Sequence, residues 1–255
     1  MVKAMKGLDG KTVLVTGGGS GIGAAICRRL GDEGASVAIF DKQLSSAAAV
    51  VSEIEVAGGT AAAFEVDITD LTAVDAGVSN VENEFGRLFG LVNNAGWDRA
   101  VSFLDSGPEH WDKVIDINLR GPINVTHAVL SRMVERAEGR IVTIASDAGR
   151  VGSSGESVYS ACKGGVIALM KTVAREVART GITLNTVCPG PTETPLLDSF
   201  DETGKLQEAL TRAVPMKRLG TPDDYPGLVA FLLSDDAAYM TGQTISVSGG
   251  LTMHG

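Results

Sequence analysis

A chain of 255 residues, 44% of them hydrophobic, is long enough to bury one large α/β core and too apolar for a disordered segment. Its formal net charge of −9 argues against a nucleic-acid or anionic-membrane partner, both of which call for a basic surplus. Cys27, Cys162 and Cys188 form no CxxC pair, the start MVKAMKGLDGK lacks the apolar core of a signal peptide, and no apolar run approaches a membrane span, which together predict a soluble cytoplasmic protein.

The first β-like run, KTVLVT, ends at Thr16 and opens into TGGGSGIG, Thr16 to Gly23, ahead of the helical stretch AAICRRLGDEGA. Glycines there let the backbone turn tightly and approach a pyrophosphate, while the helix N-terminus offers N–H groups and the positive end of its dipole. The second run, SVAIF, ends at Phe40 and is followed by Asp41, eighteen residues after Gly23. An acid at this place accepts hydrogen bonds from the adenosine ribose and repels a 2′-phosphate, favouring NAD over NADP. The plainer alternative is an acid in the first turn of the next helix, and Lys42 beside it softens the NAD preference. After the third run, TAAAFEV, Asp67 either faces an adenine amino group or caps a helix starting near Thr69 or Asp70.

Leu71, Val74, Val78, Val81 and Phe85 then recur at helical spacing on one face. The fourth run, LFGLVN, ends at Asn93, and Trp97 after the NNAG turn either walls an apolar ring pocket or packs inside. The fifth, GRIVTIAS, ends at Ser146, at the carboxyl edge where open α/β sheets bind ligands. After a Gly-rich loop, SVYSACKGGVIALMKTVAREVA reads as one helix with Val166, Leu169, Met170 and Val173 on its apolar face. Lys163 lies four residues after Tyr159 and shares its face. A neighbouring ammonium lowers a phenol pKa from about 10, and a tyrosine so tuned passes protons to and from an alcohol oxygen. A solvated Tyr–Lys pair on a helix surface has the same spacing. The sixth run, GITLNTVCPG, ends near Gly190, and the polar segment 191–216, with the helical patch KLQEALTRAV, is expected to be a substrate lid or else a surface helix pair. GQTISVSGG closes the series. Short, apolar strands alternating with helices predict a single domain over 1–255: a Rossmann-like, doubly wound parallel sheet of about seven strands with helices on both faces.

On TGGGSGIG, NNAG, Asn118 in INLRG, Ser146, YSACK and Pro189-Gly190 followed by Thr194, the chain resembles the short-chain dehydrogenase/reductase family along essentially its full length. The resemblance implies an NAD-dependent oxidoreductase interconverting a secondary alcohol and a ketone, with NADP the less favoured cofactor. It implies Tyr159 as acid/base, with Lys163 lowering its pKa and binding the nicotinamide ribose. Ser146 would orient the carbonyl, and Asn118 would hold a water linking Lys163 to solvent. Gly17, Ser20, Gly21, Ile22, Gly23, Asp41, Asp67, Ile68, Asn94, Ala95, Gly96, Pro189 and Gly190 would line the cofactor, with Thr192 and Thr194 at its carboxamide and pyrophosphate. Trp97, Ser146, Ala148 and Tyr159 would meet the substrate, with no metal. That substrate is expected to be a cyclic or β-hydroxyacyl compound, CoA thioesters included. The alternatives are a 3-oxoacyl-thioester or general carbonyl reductase, and a dinucleotide-binding scaffold without catalysis. A homotetramer is implied, its last strand and SGGLTMHG tail suiting an interface. Arg150, Lys205, Arg212, Lys217 and Arg218 either meet a CoA phosphate or sit on solvated faces. Cys162 stands where the family usually has Ser, and Asp147 where a second Ser is frequent.

Overall fold

All seven β-like runs are strands of one parallel sheet in the computed structural model, which describes residues 5–199 and 204–253. They are β1 (Thr12–Thr16), β2 (Ser36–Asp41), β3 (Thr60–Glu65), β4 (Leu88–Asn93), β5 (Arg140–Ile144), β6 (Thr183–Pro189) and β7 (Thr244–Val247). The order across the sheet is β3-β2-β1-β4-β5-β6-β7. The chain thus winds outward from β1 to β3, returns to β4 beside β1, and winds outward the other way. The reversal leaves a crevice at the carboxyl ends of β1 and β4, where ligands of such sheets bind.

The helices are α1 (Gly21–Asp32), α2 (Leu44–Val56), α3 (Leu71–Phe85), α4 (Pro108–Ile115), α5 (Gly121–Arg136), α6 (Ala148–Val151), α7 (Ser157–Val177), α8 (Pro195–Asp198), α9 (Lys205–Ala213) and α10 (Pro226–Leu233). Strand alternation divides the interior into two cores. Val13, Val15, Val37 and Ile39 point toward α1, α2 and α10, packing on Ile26, Leu30, Ile54 and Leu233. Leu14, Ala38 and Phe40 point the opposite way, toward Val74 and Val78 of α3, Val129 of α5 and Met170 of α7. The inner strands β1, β4, β5 and β6 therefore bury both faces, which is why their runs read as nearly unbroken apolar stretches.

The structure corrects two local expectations. Leu71, in the first turn of α3, is exposed, while Val74, Val78 and Val81 form the buried stripe. Asn118 does not sit inside one continuous helix: α4 stops at Ile115, and Asp116–Arg120 forms a wider π-type turn before α5. Such turns recur at functional sites, because the extra residue moves a side chain off the helical register. Of the segment 191–216, positions 200–203 lie outside the described residues; the remainder includes α8 and α9. His254 and Gly255 of the tail also lie outside them. Among the described residues no helix is long and apolar enough to cross a membrane.

Candidate active site

The crevice between β1 and β4 opens into a cleft of about 1530 Å³ that collects residues from every strand end from β1 to β6. Its floor is backbone. Gly17 (φ +64°) turns so close to the β4 loop that a Cβ there would lie 2.8 Å from the Cα of Ala95. A Cβ on Gly23 would lie 2.2 Å from the Gly17 carbonyl oxygen and 2.4 Å from Asn94 Nδ2. Asn94 fastens the two loops: its amide donates to the carbonyls of Thr16 (3.1 Å) and Gly17 (3.0 Å). Thr16 Oγ1 in turn accepts from the N–H groups of Asn94 (3.0 Å) and Ala95 (3.1 Å). α1 begins immediately above this floor, and its N-cap Ser20 places no side chain over the first-turn N–H groups. An unfilled cradle of glycines under an uncapped helix start fits the pyrophosphate of a dinucleotide.

Asp41 ends β2 at the rim of the cleft, its carboxylate accepting from Gly19 N (3.0 Å) and Gln43 N (2.9 Å). Lys42 turns to Asp67, Nζ to Oδ2 2.8 Å. Burial would raise the Asp67 carboxyl, but hydrogen bonds from Lys42 and Thr69 outweigh it and hold the group below its usual range. The capping alternative for Asp67 belongs instead to Asp70, which accepts from Thr72 N and Ala73 N at the start of α3. Asp67 and Ile68 line the cleft on the same side as Asp41.

Ser146, Tyr159 and Lys163 meet at the other end, from the end of β5 and the first two turns of α7. Ser146 Oγ accepts from Ala148 N (3.1 Å), which leaves its own proton to donate. Lys163 is buried, 4% exposed, and its Nζ donates to the Ile144 carbonyl at 3.0 Å. Burial pushes the ammonium down to about 8. The expectation that Lys163 lowers Tyr159 is not met. Burial, Glu156 and Asp98 push the phenol up, and only the hydrogen bond with Ser146 pulls against them. Lys163 Nζ sits 5.4 Å from the tyrosine ring centroid rather than on its hydroxyl. Gly96 keeps the ammonium within reach of the cleft: a Cβ there would stand 3.4 Å from Lys163 Nζ and 3.0 Å from Asn118 Oδ1.

Asn118 lies beside Gly96 at the edge of this cluster. Its side chain is fully buried and committed, Nδ2 donating to Trp97 O (2.6 Å) and Val114 O (2.9 Å) and Oδ1 accepting from Trp97 N (3.2 Å). The π-type turn thus lets the Asn118 side chain clamp the loop after β4. Trp97, gripped this way, is half-buried: one side packs edge-on to His110 and the other meets the cleft, with Lys113 Nζ 3.6 Å from the ring centroid.

Pro189, Gly190, Thr192 and Thr194 all line the cleft. Thr192 Oγ1 is taken up by Gly190 O (2.8 Å) and by a short contact with the Tyr225 hydroxyl. Thr194 N-caps α8 and lies against Gly21, whose Cβ would stand 3.6 Å from Thr194 Cγ2. The polar segment after Gly190 turns an apolar side inward: Leu196, Leu206 and Leu210 join Val151 and Met253 over the cleft. The cations considered for a CoA phosphate are not gathered there. Arg150 donates to Ser246, Arg218 pairs with Asp224, Arg212 faces Glu208, and Lys217 caps a carbonyl. Sequence reasoning passed over Lys113 and Glu156, which do line the cleft, and buried Asp98 behind Trp97. The signal for Lys113 was its place one turn before the INLRG motif, on the helix entering it. Cys162 is buried and its thiol is pushed up by burial, in keeping with a packing role. Among the described residues no cluster of metal-ligating side chains forms.

Comparison with known proteins agrees with this geometry. The family model described as enoyl-(acyl carrier protein) reductase matches residues 17–252. A 3-oxoacyl-acyl-carrier-protein reductase of Staphylococcus aureus is 39% identical over 244 residues, covering 95% of this chain and 98% of that protein. A (2S)-((R)-hydroxy(phenyl)methyl)succinyl-CoA dehydrogenase subunit of Thauera aromatica is 38% identical over 247 residues, covering 97% and 98%. The crystal structure of an actinorhodin polyketide ketoreductase with NADPH superposes with a TM-score of 0.92 at 37% identity, covering 97% of this chain and 99% of that one. The chain belongs to the short-chain dehydrogenase/reductase family and is an oxidoreductase of CH–OH and ketone groups.

Proposed function

We propose that the chain reduces a ketone on an acyl thioester, or oxidises the corresponding secondary alcohol, with a nicotinamide dinucleotide. The observation that carries this is the meeting of Ser146, Tyr159 and Lys163 beside a glycine-floored cleft whose far wall is apolar. Gly17, Ser20, Gly21, Ile22 and Gly23 would hold the pyrophosphate with Thr194, and Asp41 with Asp67 and Ile68 the adenosine. Asn94, Ala95, Gly96, Pro189, Gly190 and Thr192 would line the nicotinamide half. When bound, the nicotinamide supplies or accepts the hydride. Ser146 orients the substrate oxygen and Tyr159 exchanges a proton with it. Lys163, at the foot of the tyrosine, would bind the nicotinamide ribose. Trp97 and Ala148 flank the substrate, and the face of α8 and α9 that carries the leucines would serve as its lid.

The relatives named for 3-oxoacyl-thioester and polyketide reduction support the reductive reading over the oxidative one first expected. Within it, NNAGWD, IASDAGRVGSSGESVYSACKGG, VCPGPTETPLL and SVSGGLTMHG resemble 2-hydroxycyclohexanecarboxyl-CoA dehydrogenase. That supports a cyclic β-oxoacyl-CoA as one substrate, as does the CoA thioester in the name of the Thauera aromatica relative. NAD is favoured over NADP by Asp41 at the ribose position and by the ion pair that withdraws Lys42 from a 2′-phosphate. A homotetramer is part of the same reading, the edge strand β7 and the apolar α10 supplying half-buried surface such as Leu228, Phe231 and Ile245. The test is consumption of NADH and NADPH with acetoacetyl-CoA, a cyclic β-oxoacyl-CoA and simple ketones, and the reverse reaction with the alcohols. Thioester reduction with NADH preferred is the expected result; binding of NADH without turnover on any member would overturn it in favour of a scaffold.

A further inference from the structure

Among the described residues three cations line the cleft: Lys42, Lys113 and Lys163. Two are committed. Lys42 pairs with Asp67 at the nucleotide end, and Lys163 donates to the Ile144 carbonyl. The side chain of Lys113, on α4, forms no ion pair or hydrogen bond with any described residue. Its own helix offers Glu109 four residues back, the usual partner of a surface lysine, and the two do not pair. The ammonium lies instead over the Trp97 ring, 3.6 Å from its centroid.

That ring is a fixed seat. Asn118 holds both the N–H and the carbonyl of Trp97, and His110 packs against the indole. Val101 N donates to Gly155 O at 2.9 Å, tying the same loop to the foot of α7. The indole face attracts the cation and fixes where it stands, while Lys113 keeps a solvent-exposed side for a further partner. Trp97, Ala100 and Ile117 line the cleft with it and bring no competing charge. An ammonium has donors and no acceptor, so its complement there is an anion. Glu156 enters the cleft from the start of α7 and would repel an anion on that side, so the two charges sort a negative group toward α4.

The place of Lys113 narrows the anion. Trp97 follows Gly96, whose Cβ would stand 3.4 Å from Lys163 Nζ, so the ammonium is one side chain away from the reacting groups. A pantetheine arm is many bonds long and carries its phosphate far from the ketone, whereas a carboxylate a few bonds beyond the ketone falls within that reach. We propose that Lys113 is a specificity-determining residue that binds a carboxylate on the acyl chain, so that the site favours β-oxoacyl thioesters carrying a second, free carboxylate on the far side of the ketone. This rests on the thioester-ketone reading of the site.

The experiment compares 3-oxoadipyl-CoA with 3-oxohexanoyl-CoA, chains of equal length that differ by a terminal carboxylate in place of a methyl. Calorimetric titration with NAD present, which cannot reduce a ketone, reads binding without turnover; rates with NADH read kcat/KM. The wild-type protein is expected to bind the carboxylate-bearing ester about tenfold more tightly. In Lys113→Met, which keeps the length of the side chain and removes its charge, that preference should disappear, with the kinetic loss in KM rather than kcat. Lys113→Arg should retain most of it, and Lys171→Met, at an exposed lysine of α7 outside the cleft, should not move it. No preference in the wild type, or a preference that Lys113→Met leaves in place, overturns the proposal. If Lys113→Met weakens both CoA esters equally but not their N-acetylcysteamine counterparts, which have no phosphate, the cation reads the CoA phosphates and the carboxylate assignment falls. Should Lys113→Met not fold, Lys113→Gln carries the same measurement. The expected binding preference without turnover would sink the reductase reading alone, while turnover of both esters without preference would sink the carboxylate site alone.

Discussion

The two ends of the cleft are built by opposite means. The nucleotide end is made by leaving side chains out: glycines at Gly17 and Gly23 bring two loops to within van der Waals contact, and Asn94 and Thr16 tie the backbones together. The chemical end is made by putting polar side chains in. Lys163, Asn118 and Asp98 are buried behind a partly apolar wall, and each is held by backbone carbonyls or N–H groups rather than by an opposite charge. The first design tolerates no added atom. The second depends on the charge and protons its buried side chains carry.

Three changes should separate these designs, in falling order of effect. Tyr159→Phe removes only a hydroxyl, so the fold and dinucleotide affinity should survive while kcat falls by about 10²–10⁴-fold; fluorescence titration with NADH and steady-state rates measure the two. Weakened NADH binding with normal kcat would reverse the assignment of the two ends. Gly23→Ala should do the opposite. Its methyl meets the Gly17 carbonyl and Asn94 amide, so dinucleotide binding should fail, and overpacking should cost about 1–3 kcal/mol of stability, read from denaturant unfolding. Asp41→Asn changes charge with almost no change of volume, though its amide can accept from only one of Gly19 N and Gln43 N. The NADH-over-NADPH ratio of kcat/KM should fall by about tenfold with a stability loss of about 1 kcal/mol, which would show that the rim of the nucleotide end reads charge even though its floor reads space.

The contrast also explains what the sequence made legible. The seven strands and the glycine loop are local signals: apolar runs, turn glycines and the residue that ends each strand lie within a few positions of one another. Asp41 and Asp70 follow from the same locality, one at a strand end and one capping the next helix. The chemical end depends on packing between distant segments. INLRG has the spacing of an ordinary helix, and only the seat of Trp97 against it makes the π-type turn intelligible. Spacing alone placed Lys163 beside Tyr159 and could not show the burial around the pair. Burial by distant segments, with Glu156 just before the tyrosine and Asp98 from the loop after β4, pushes the phenol up. The apolar side of the segment after Gly190 was hidden by its polar composition, because only one face of each short helix turns inward.

The smallest predicted effect tests whether charge also holds the outer strip of the chemical end. Gly220 backs the strand-like turn at Pro191–Glu193: Gly220 N donates to Pro191 O, and Glu193 N to Gly220 O, both at 2.9 Å. The next turn is fastened by Asp224, whose carboxylate accepts from both guanidinium nitrogens of Arg218 and from Thr221 N, all at 2.7 Å. The Arg218 hydrogen bonds, joined by Thr221, outweigh burial and hold the Asp224 carboxyl far below its usual range. A carboxyl depressed in the folded state adds stability that is complete above its unfolded pKa of about 3.9 and is lost as pH falls toward the folded value. Asp224→Asn should therefore lower Tm at pH 7, by a small amount because the pair is solvent-screened, and the gap to wild type should narrow as the pH drops below about 4. A gap that is constant with pH would mean that the turn is held by the shape of its capping box and not by the charge, and the charge-built character of the chemical end would stop at its buried residues.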